Sequence, residues 1–299
     1  MADKRALLAH AAGKRGLAPV AAGTVPLMCL TDVLTTPDRR YQAQDHDFAE
    51  ISRDQVICGL HVHVGVEDRD LAAAALHRLS LWAPILLALS ANSPYWLGAD
   101  TGYASWRTVL WQRWPTAGPA PRVASAAEYD DFVAGLIRSG VITDAGMIYH
   151  DVRLSSHVPT IELRVCDAVP DLDTAVLIAA VFRALVRHSL REIRAGHAAP
   201  DIPYTCLRSA TWRAARSALA GDLLDPQSLQ PVRAPELVCR LIGDLEDDLR
   251  HYDDWERVQE GIKATLDRGS WAAIQRRTGR RQGLAAVVDL LTTRTSTST

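Results

Sequence analysis

Residues 58–66 read Cys-Gly-Leu-His-Val-His-Val-Gly-Val, which sets Leu60, Val62, Val64 and Val66 on one face of an extended segment and His61 and His63 on the other. Strand side chains alternate between faces, so this run predicts a half-buried strand carrying two imidazoles above an apolar layer. Gly59 and Gly65 flank the pair and leave room for a group to approach the backbone. Residues 160–167 repeat the arrangement, with Ile161, Leu163 and Val165 apolar and Glu162 and Arg164 together on the opposite face. Just upstream, Tyr149, Asp151 and Arg153 alternate with His150, Val152 and Leu154. Three half-polar strands are therefore expected to converge, with His61, His63, Glu162 and Arg164 on one concave face.

Longer periods predict helices around these strands. A first helix is expected over about residues 3–15, then a strand over 17–22 entering a Gly23-Thr24 turn. An apolar helix over about 70–90 follows the histidine strand, capped by Asp68 or Asp70, with Pro84 expected to kink or divide it. Ser125 and Glu128 have capping-box spacing and open a helix that stops at Gly140. A further apolar helix, about 173–195, follows the Glu162 strand and ends at Gly196. The order is strand, then buried helix, twice over. Residues 91–121 read as a long aromatic loop, and the chain beyond about 200 as helical and charged. The expected organisation is α+β: an antiparallel sheet with helices on one face in a single domain over 1–290, helical from about 200. A disordered tail is expected over 291–299, where Thr-Arg-Thr-Ser-Thr-Ser-Thr ends the chain.

Composition narrows the function. Lys and Arg number 33 against 35 Asp and Glu, so no global field recruits nucleic acid or an anionic membrane. Five cysteines, scattered at 29, 58, 166, 206 and 239 without a CxxC pair, read as reduced thiols rather than a disulfide framework or zinc ribbon. The run 175–186 reads as the most apolar and is too short to span a bilayer, and no N-terminal stretch has signal-peptide layout. A cytoplasmic location follows as an expectation.

Two histidines on one strand face can hold a divalent metal, contact phosphate oxygens, or divide those tasks. A carboxylate and a guanidinium two residues apart can bind a metal and a phosphate side by side. A solvated strand face bearing an ion pair of Glu162 with Arg153 or Arg164 accounts for the same residues without any ligand. In the 91–121 loop, Arg107 is the first candidate to meet a substrate carboxylate, with Asn92 and Tyr103 behind it; most of the tryptophans there are expected to pack the loop onto the body.

Gly23-Thr24, the CGLHVHVGV run, ALSANSPYWLGADTGYASWRTVLWQRWPTAGPAP and DVRLSSHVPTIELRVCD occur in an order that resembles the type 2 glutamate-cysteine ligases, bacterial carboxylate-amine ligases related in fold to glutamine synthetase. The resemblance extends over about residues 4–270. It implies an antiparallel sheet cupping ATP and Mg2+ or Mn2+, and an acyl-phosphate route joining glutamate to an amine such as that of cysteine. It further implies His61 and Glu162 as metal ligands, His63 and Arg164 as phosphate contacts, and Arg153 and Arg164 as the groups that steady the transferred phosphoryl. A homo-oligomer is compatible with it.

One departure from the family pattern stands out. Members carry a Gly-[Ile/Val]-Glu-x-Glu strand and a second acidic strand ahead of the Gly-Thr-x-Pro segment, whereas here Gly23-Thr24-Val25-Pro26 arrives almost at once and no Glu-x-Glu occurs in the chain. The resemblance then implies that roughly half of the metal cage is absent, with weak ligase activity as the expectation. A start assigned too late and a natural truncation both account for this. Two other classes remain: a ligase-like nucleotide or amino-acid binder or partner subunit with an unpaired sheet edge, and a metal-dependent amidohydrolase, which would need a parallel barrel and further histidines.

Overall fold

A computed structural model describes residues 1–296. Its centre is an antiparallel three-stranded sheet in which Thr160–Leu163 lies between Val62–Gly65 and Val152–Leu154. The register sets His63 opposite Glu162 on one side and Arg153 opposite Glu162 on the other. Val152, Leu154, Ile161 and Leu163 are buried together with two long helices, Arg69–Ser90 and Leu172–Arg194, which cover that apolar face and pack on each other. Removing such side chains from water stabilises the fold by about 1.5–3 kcal/mol each, so the apolar layer fixes which face is left for the polar residues. The α+β class and the antiparallel sheet with helices on one face are as the alternation predicts.

Asp68 and Asp171 cap the two long helices, accepting from the Leu71 and Thr174 amides at 3.0 and 2.6 Å. Pro84 lies inside the first without dividing it. Among the described residues that helix, rather than 175–186, is the apolar segment long enough to cross a membrane, and most of it is core. Ser125 caps Ala126–Arg138, which ends before Gly140 at φ +74°. The expected 17–22 strand is not formed: this segment is irregular, and only Thr24 pairs, as a single bridge to Ile57. The 91–121 loop carries structure of its own, a hairpin of Tyr95–Trp96 with Ala99–Asp100 and a short helix Trp106–Trp111 capped by Ser105. Leu97 and Gly98 both have positive φ, as a two-residue hairpin turn requires.

Beyond residue 200 the helices Tyr204–Ser217, Ala234–Asp244, Trp255–Arg268 and Trp271–Gln282 are joined by a hairpin of Asp222–Leu224 with Pro231–Arg233 that the charge pattern did not predict. The expected tail is helical where it is described: Leu284–Ser296 buries Leu291 and Thr295, and residues 297–299 lie outside the described residues. The short helix Glu246–Arg250 is tied to Leu172–Arg194 through Asp248, fully buried, which accepts from Arg191 Nε at 3.0 Å and Nη2 at 2.8 Å, from His188 Nδ1 at 3.2 Å, and from Arg187.

Asp248→Ala would leave two guanidiniums facing each other without their acceptor. Because those arginines are partly exposed, the expected loss is about 2–3 kcal/mol at neutral pH, at or below the range for breaking a buried pair. Burial alone would raise this carboxyl, but its hydrogen bonds to Arg191 and Arg187 hold it below the ordinary range. Its contribution is therefore complete above about pH 4 and is lost as acidification passes the lowered folded-state pKa. Urea denaturation of both proteins across that window checks the magnitude and the sign; a loss under about 0.5 kcal/mol at pH 7 would remove Asp248 as a tie between the helices.

Candidate active site

The polar face of the sheet gathers four of the expected residues around the carboxylate of a fifth. Glu162, 2% exposed, accepts from Arg153 Nε at 2.7 Å through Oε2 and from Arg164 Nη1 at 2.5 Å through Oε1. His61 Nδ1 and His63 Nε2 stand 3.3 and 3.7 Å from the same Oε1. Arg153 also donates Nη1 to the carbonyls of Gly146 and Ile148, at 3.1 and 2.6 Å. The histidines are the solvent-facing members, with side chains 38% and 40% exposed, and His63 Nδ1 lies 2.9 Å from Thr160 Oγ1.

Burial and charge set the protonation of this group. Burial would raise the Glu162 carboxyl, yet the Arg164 and Arg153 guanidiniums outweigh it and hold the carboxyl below its usual range. His61 is pushed down to about 4, first by burial and then by the Arg164 charge, so its imidazole is neutral at pH 7. Arg164 is lowered by burial and by Arg153, and remains a cation at neutral pH. With both guanidiniums charged and one carboxylate between them, the local sum is positive, an environment that favours an oxyanion.

Behind this face the strand is not regular. His63 pairs with Glu162, but Gly59 pairs with Asp167, so the register moves by one residue between them. The Asp151 carbonyl accepts from both the Arg164 and Val165 amides, at 2.8 and 3.3 Å, which marks a β-bulge at Arg164 and Val165. Arg107 lies beneath it. Its Nη2 donates to the Arg164 carbonyl and its Nη1 to the Val165 carbonyl, both at 3.0 Å, and Nη1 lies 3.9 Å from Asp167 Oδ1. Asp167 is fully buried and accepts from the Asn92 amide at 2.8 Å, Ser93 Oγ at 2.7 Å and Ser105 Oγ at 2.8 Å.

The sheet thus brings together His61, His63, Glu162, Arg153 and Arg164, and not the loop candidates. Arg107 is 2% exposed and its Nη groups are committed to main-chain carbonyls, so it does not reach out to a substrate carboxylate. Asn92 is fully buried, with Nδ2 on the Ala21 and Ala168 carbonyls and Oδ1 accepting from Gln275. The Tyr103 hydroxyl accepts from Trp212 Nε1 at 3.2 Å, with its ring against Trp106. The group that approaches Gly59 is the Arg107 guanidinium, whereas Gly65 faces open space. Reading the sequence missed Asp167, Ser93 and Ser105 because, as small polar residues beside an apolar run, they carry no periodic signal. Asp151 was placed with Arg153 but is buried against Thr211, and burial pushes its carboxyl up to about 6.

The metal implied by the family resemblance does not fit these residues alone. Both Glu162 oxygens are held by guanidiniums, and among the described residues no group of three or more His, Cys, Asp or Glu is arranged to hold a metal ion. An apolar cavity of about 410 Å3 lies apart from this face, lined in part by Ala22, Thr24, Ile57 and Val288.

Imidazole NMR should find His61 changing protonation at about 4. Because this lies below the unfolded value of about 6.5, the stability the residue contributes is present above that pH and is lost as pH falls through the lowered folded-state pKa. Arg164→Met should move the His61 titration upward by removing the guanidinium charge. Titration near about 6.5 in both proteins would put His61 outside the arginine field.

The family model for glutamate-cysteine ligase family 2 matches residues 1–288. A Frankia alni protein named "Putative glutamate--cysteine ligase 2-3" is 51% identical over 97% of this chain, which covers 34% of that protein. A Mycolicibacterium smegmatis protein named "Putative glutamate--cysteine ligase 2-2" is 47% identical over 98% of the chain and is itself covered to 74%. The chain therefore spans about a third of the length of the Frankia relative. A Francisella tularensis glutamate-cysteine ligase solved in complex with AMP shares the fold at a TM-score of 0.51 and 12% identity, over 77% of this chain and 59% of that one. With the profile matching nearly end to end, the chain belongs to glutamate-cysteine ligase family 2.

Proposed function

We propose that this chain carries the phosphoryl-handling face of an ATP-dependent carboxylate-amine ligase that joins the γ-carboxylate of L-glutamate to the amine of L-cysteine. The observation that carries the reading is the convergence of Arg153, Arg164, His61 and His63 on the buried Glu162, in a member of this ligase family. The γ-phosphate of ATP lies against Arg164 and Arg153, whose fixed charges offset the negative charge that spreads over the phosphoryl oxygens during transfer. A glutamate carboxylate oxygen attacks the phosphorus and ADP leaves. The amine nitrogen then attacks the acyl carbon, loses a proton, and phosphate departs. His63, at the exposed edge, hydrogen-bonds a phosphate oxygen. Neutral His61 adds no charge to the site, and Glu162 holds both guanidiniums in place between turnovers.

Phosphate release with ATP, glutamate and cysteine, measured with and without magnesium, tests the reading. The expected result is release that depends on both amino acids but is slow, roughly two or more orders of magnitude below a typical turnover of about 10 per second, because the donor set supplies no complete metal cage. ATP binding without any release would favour the ligase-like binder or partner subunit, a reading supported by that same incomplete donor set. Absence of ATP binding would overturn both.

Glu162→Gln removes the carboxylate that holds both guanidiniums in position, and despite the gain in positive charge the loss of that ordering should weaken ATP binding at least tenfold by calorimetric titration. It should also cost about 3 kcal/mol of stability, since one partner of a buried ion cluster is lost. Unchanged affinity in the folded variant would take Glu162 out of the site.

A further inference from the structure

We infer that Arg107 is a positioning residue for this face: its guanidinium, wedged under Gly59, sets the bulge at Arg164 and Val165 and through it aims the Arg164 side chain at Glu162. The inference rests on the reading of that face as the ATP phosphate site, and it replaces the expectation that Arg107 meets a substrate carboxylate.

Three observations combine. Arg107 is 2% exposed and donates one Nη to the carbonyl of each bulge residue, so the fork of the guanidinium matches two consecutive main-chain oxygens. The bulge is where the register slips by one residue, between the Glu162–His63 pair and the Asp167–Gly59 pair, and an irregular strand end needs a partner that regular pairing does not supply. Space for the guanidinium exists only because residue 59 is glycine. A Cβ built there would fall 2.9 Å from Arg107 Cζ and closer still to Nη2, less than any side chain tolerates.

The other side of the wedge is equally confined. The Arg107 amide donates to Ser93 Oγ at 3.1 Å, and Ser93 Oγ in turn donates to Asp167. A Cβ on Gly23 would fall 2.7 Å from Asp167 Cγ. Two glycines from separate segments thus clear a channel for one buried arginine-aspartate unit. Trp111 closes the end of it: the Arg107 and Arg164 guanidiniums lie 5.8 and 5.7 Å from its ring centroid. Arg164 is therefore held at its carbonyl by Arg107 and beside its guanidinium by the same indole that Arg107 touches. A small displacement of the bulge moves the Arg164 charge relative to a bound phosphate, and misplacements of about 1 Å can lower rates by about a hundredfold.

The test uses Gly59→Ala, Arg107→Lys and the double variant, each compared with the parent chain in two measurements. Hydrogen exchange at the Arg164 and Val165 amides needs no ligand and reports the bulge itself. Calorimetric titration with ATP reports the consequence at the face. Gly59→Ala should speed exchange at those two amides and weaken ATP binding about tenfold, with the melting transition of the remainder kept. Arg107→Lys, which keeps the charge but offers a single donor head, should speed the same exchange and weaken binding several-fold. In the double variant the slimmer ammonium makes room for the new methyl, and both readouts should match those of Arg107→Lys alone, milder than those of Gly59→Ala. Exchange and affinity both unchanged in folded Gly59→Ala would overturn the inference, as would a fall in melting temperature with affinity intact, the mark of a packing role only. If the parent chain fails to bind ATP, the phosphate-site reading falls, while the exchange data still decide whether Arg107 sets the bulge.

Discussion

The register of three short strands is the constraint on which the rest depends. Glu162 sits on the middle strand, opposite His63 on one side and Arg153 on the other. Side chains alternate with period two, so a slip of one residue in either pairing would send Glu162 or its partners into the apolar layer over the long helices. Ile161 and Leu163, both fully buried, oppose that slip. The helices Arg69–Ser90 and Leu172–Arg194 therefore act on the chemistry indirectly, by making the apolar face of the sheet expensive to expose.

Much of this arrangement was legible because it is periodic. His61 with His63, and Glu162 with Arg164, each declare a face by spacing alone, and the flanking hydrophobic positions confirm it; Asp151, at the same spacing from Arg153, is instead buried against Thr211. The caps at Asp68 and Ser125 and the stops at Gly140 and Gly196 likewise follow from local chemistry. What was not legible depends on contacts distant in sequence. Residues 17–22 have strand-like composition but no partner strand beside them, so propensity alone did not form one. The bulge at Arg164 and Val165 leaves the alternation through Val165 readable while shifting the pairing beyond it. Its cause, Arg107, lies 57 residues away along the chain. Arg107 reads in the sequence as a group for a substrate carboxylate, but such a guanidinium is equally suited to two consecutive carbonyls, and only its burial distinguishes the uses.

The hairpin at Tyr95–Trp96 and Ala99–Asp100 illustrates a weaker signal of the same kind. Leu97 and Gly98 take up positive φ, a geometry usually announced by Asn-Gly or Asp-Gly, and a leucine at the first position conceals it. Arg276 then ties the hairpin to the helical region beyond residue 200, pairing with Asp100 at 2.6 Å and donating to the Tyr103 carbonyl at 2.9 Å. Bonds of this kind tie the aromatic stretch to the body of the protein, as do those of Asn92 and Tyr103, although Trp106 Nε1 and Trp114 Nε1 are buried without a partner.

The charge balance at Glu162 follows from the same economy of partners. A carboxylate with one guanidinium would be a neutral pair that could still give a lone oxygen to a cation. A carboxylate with two, and with its imidazole neighbour His61 held neutral, leaves a surplus positive charge and both oxygens occupied. Such a centre attracts oxyanions and repels free divalent cations.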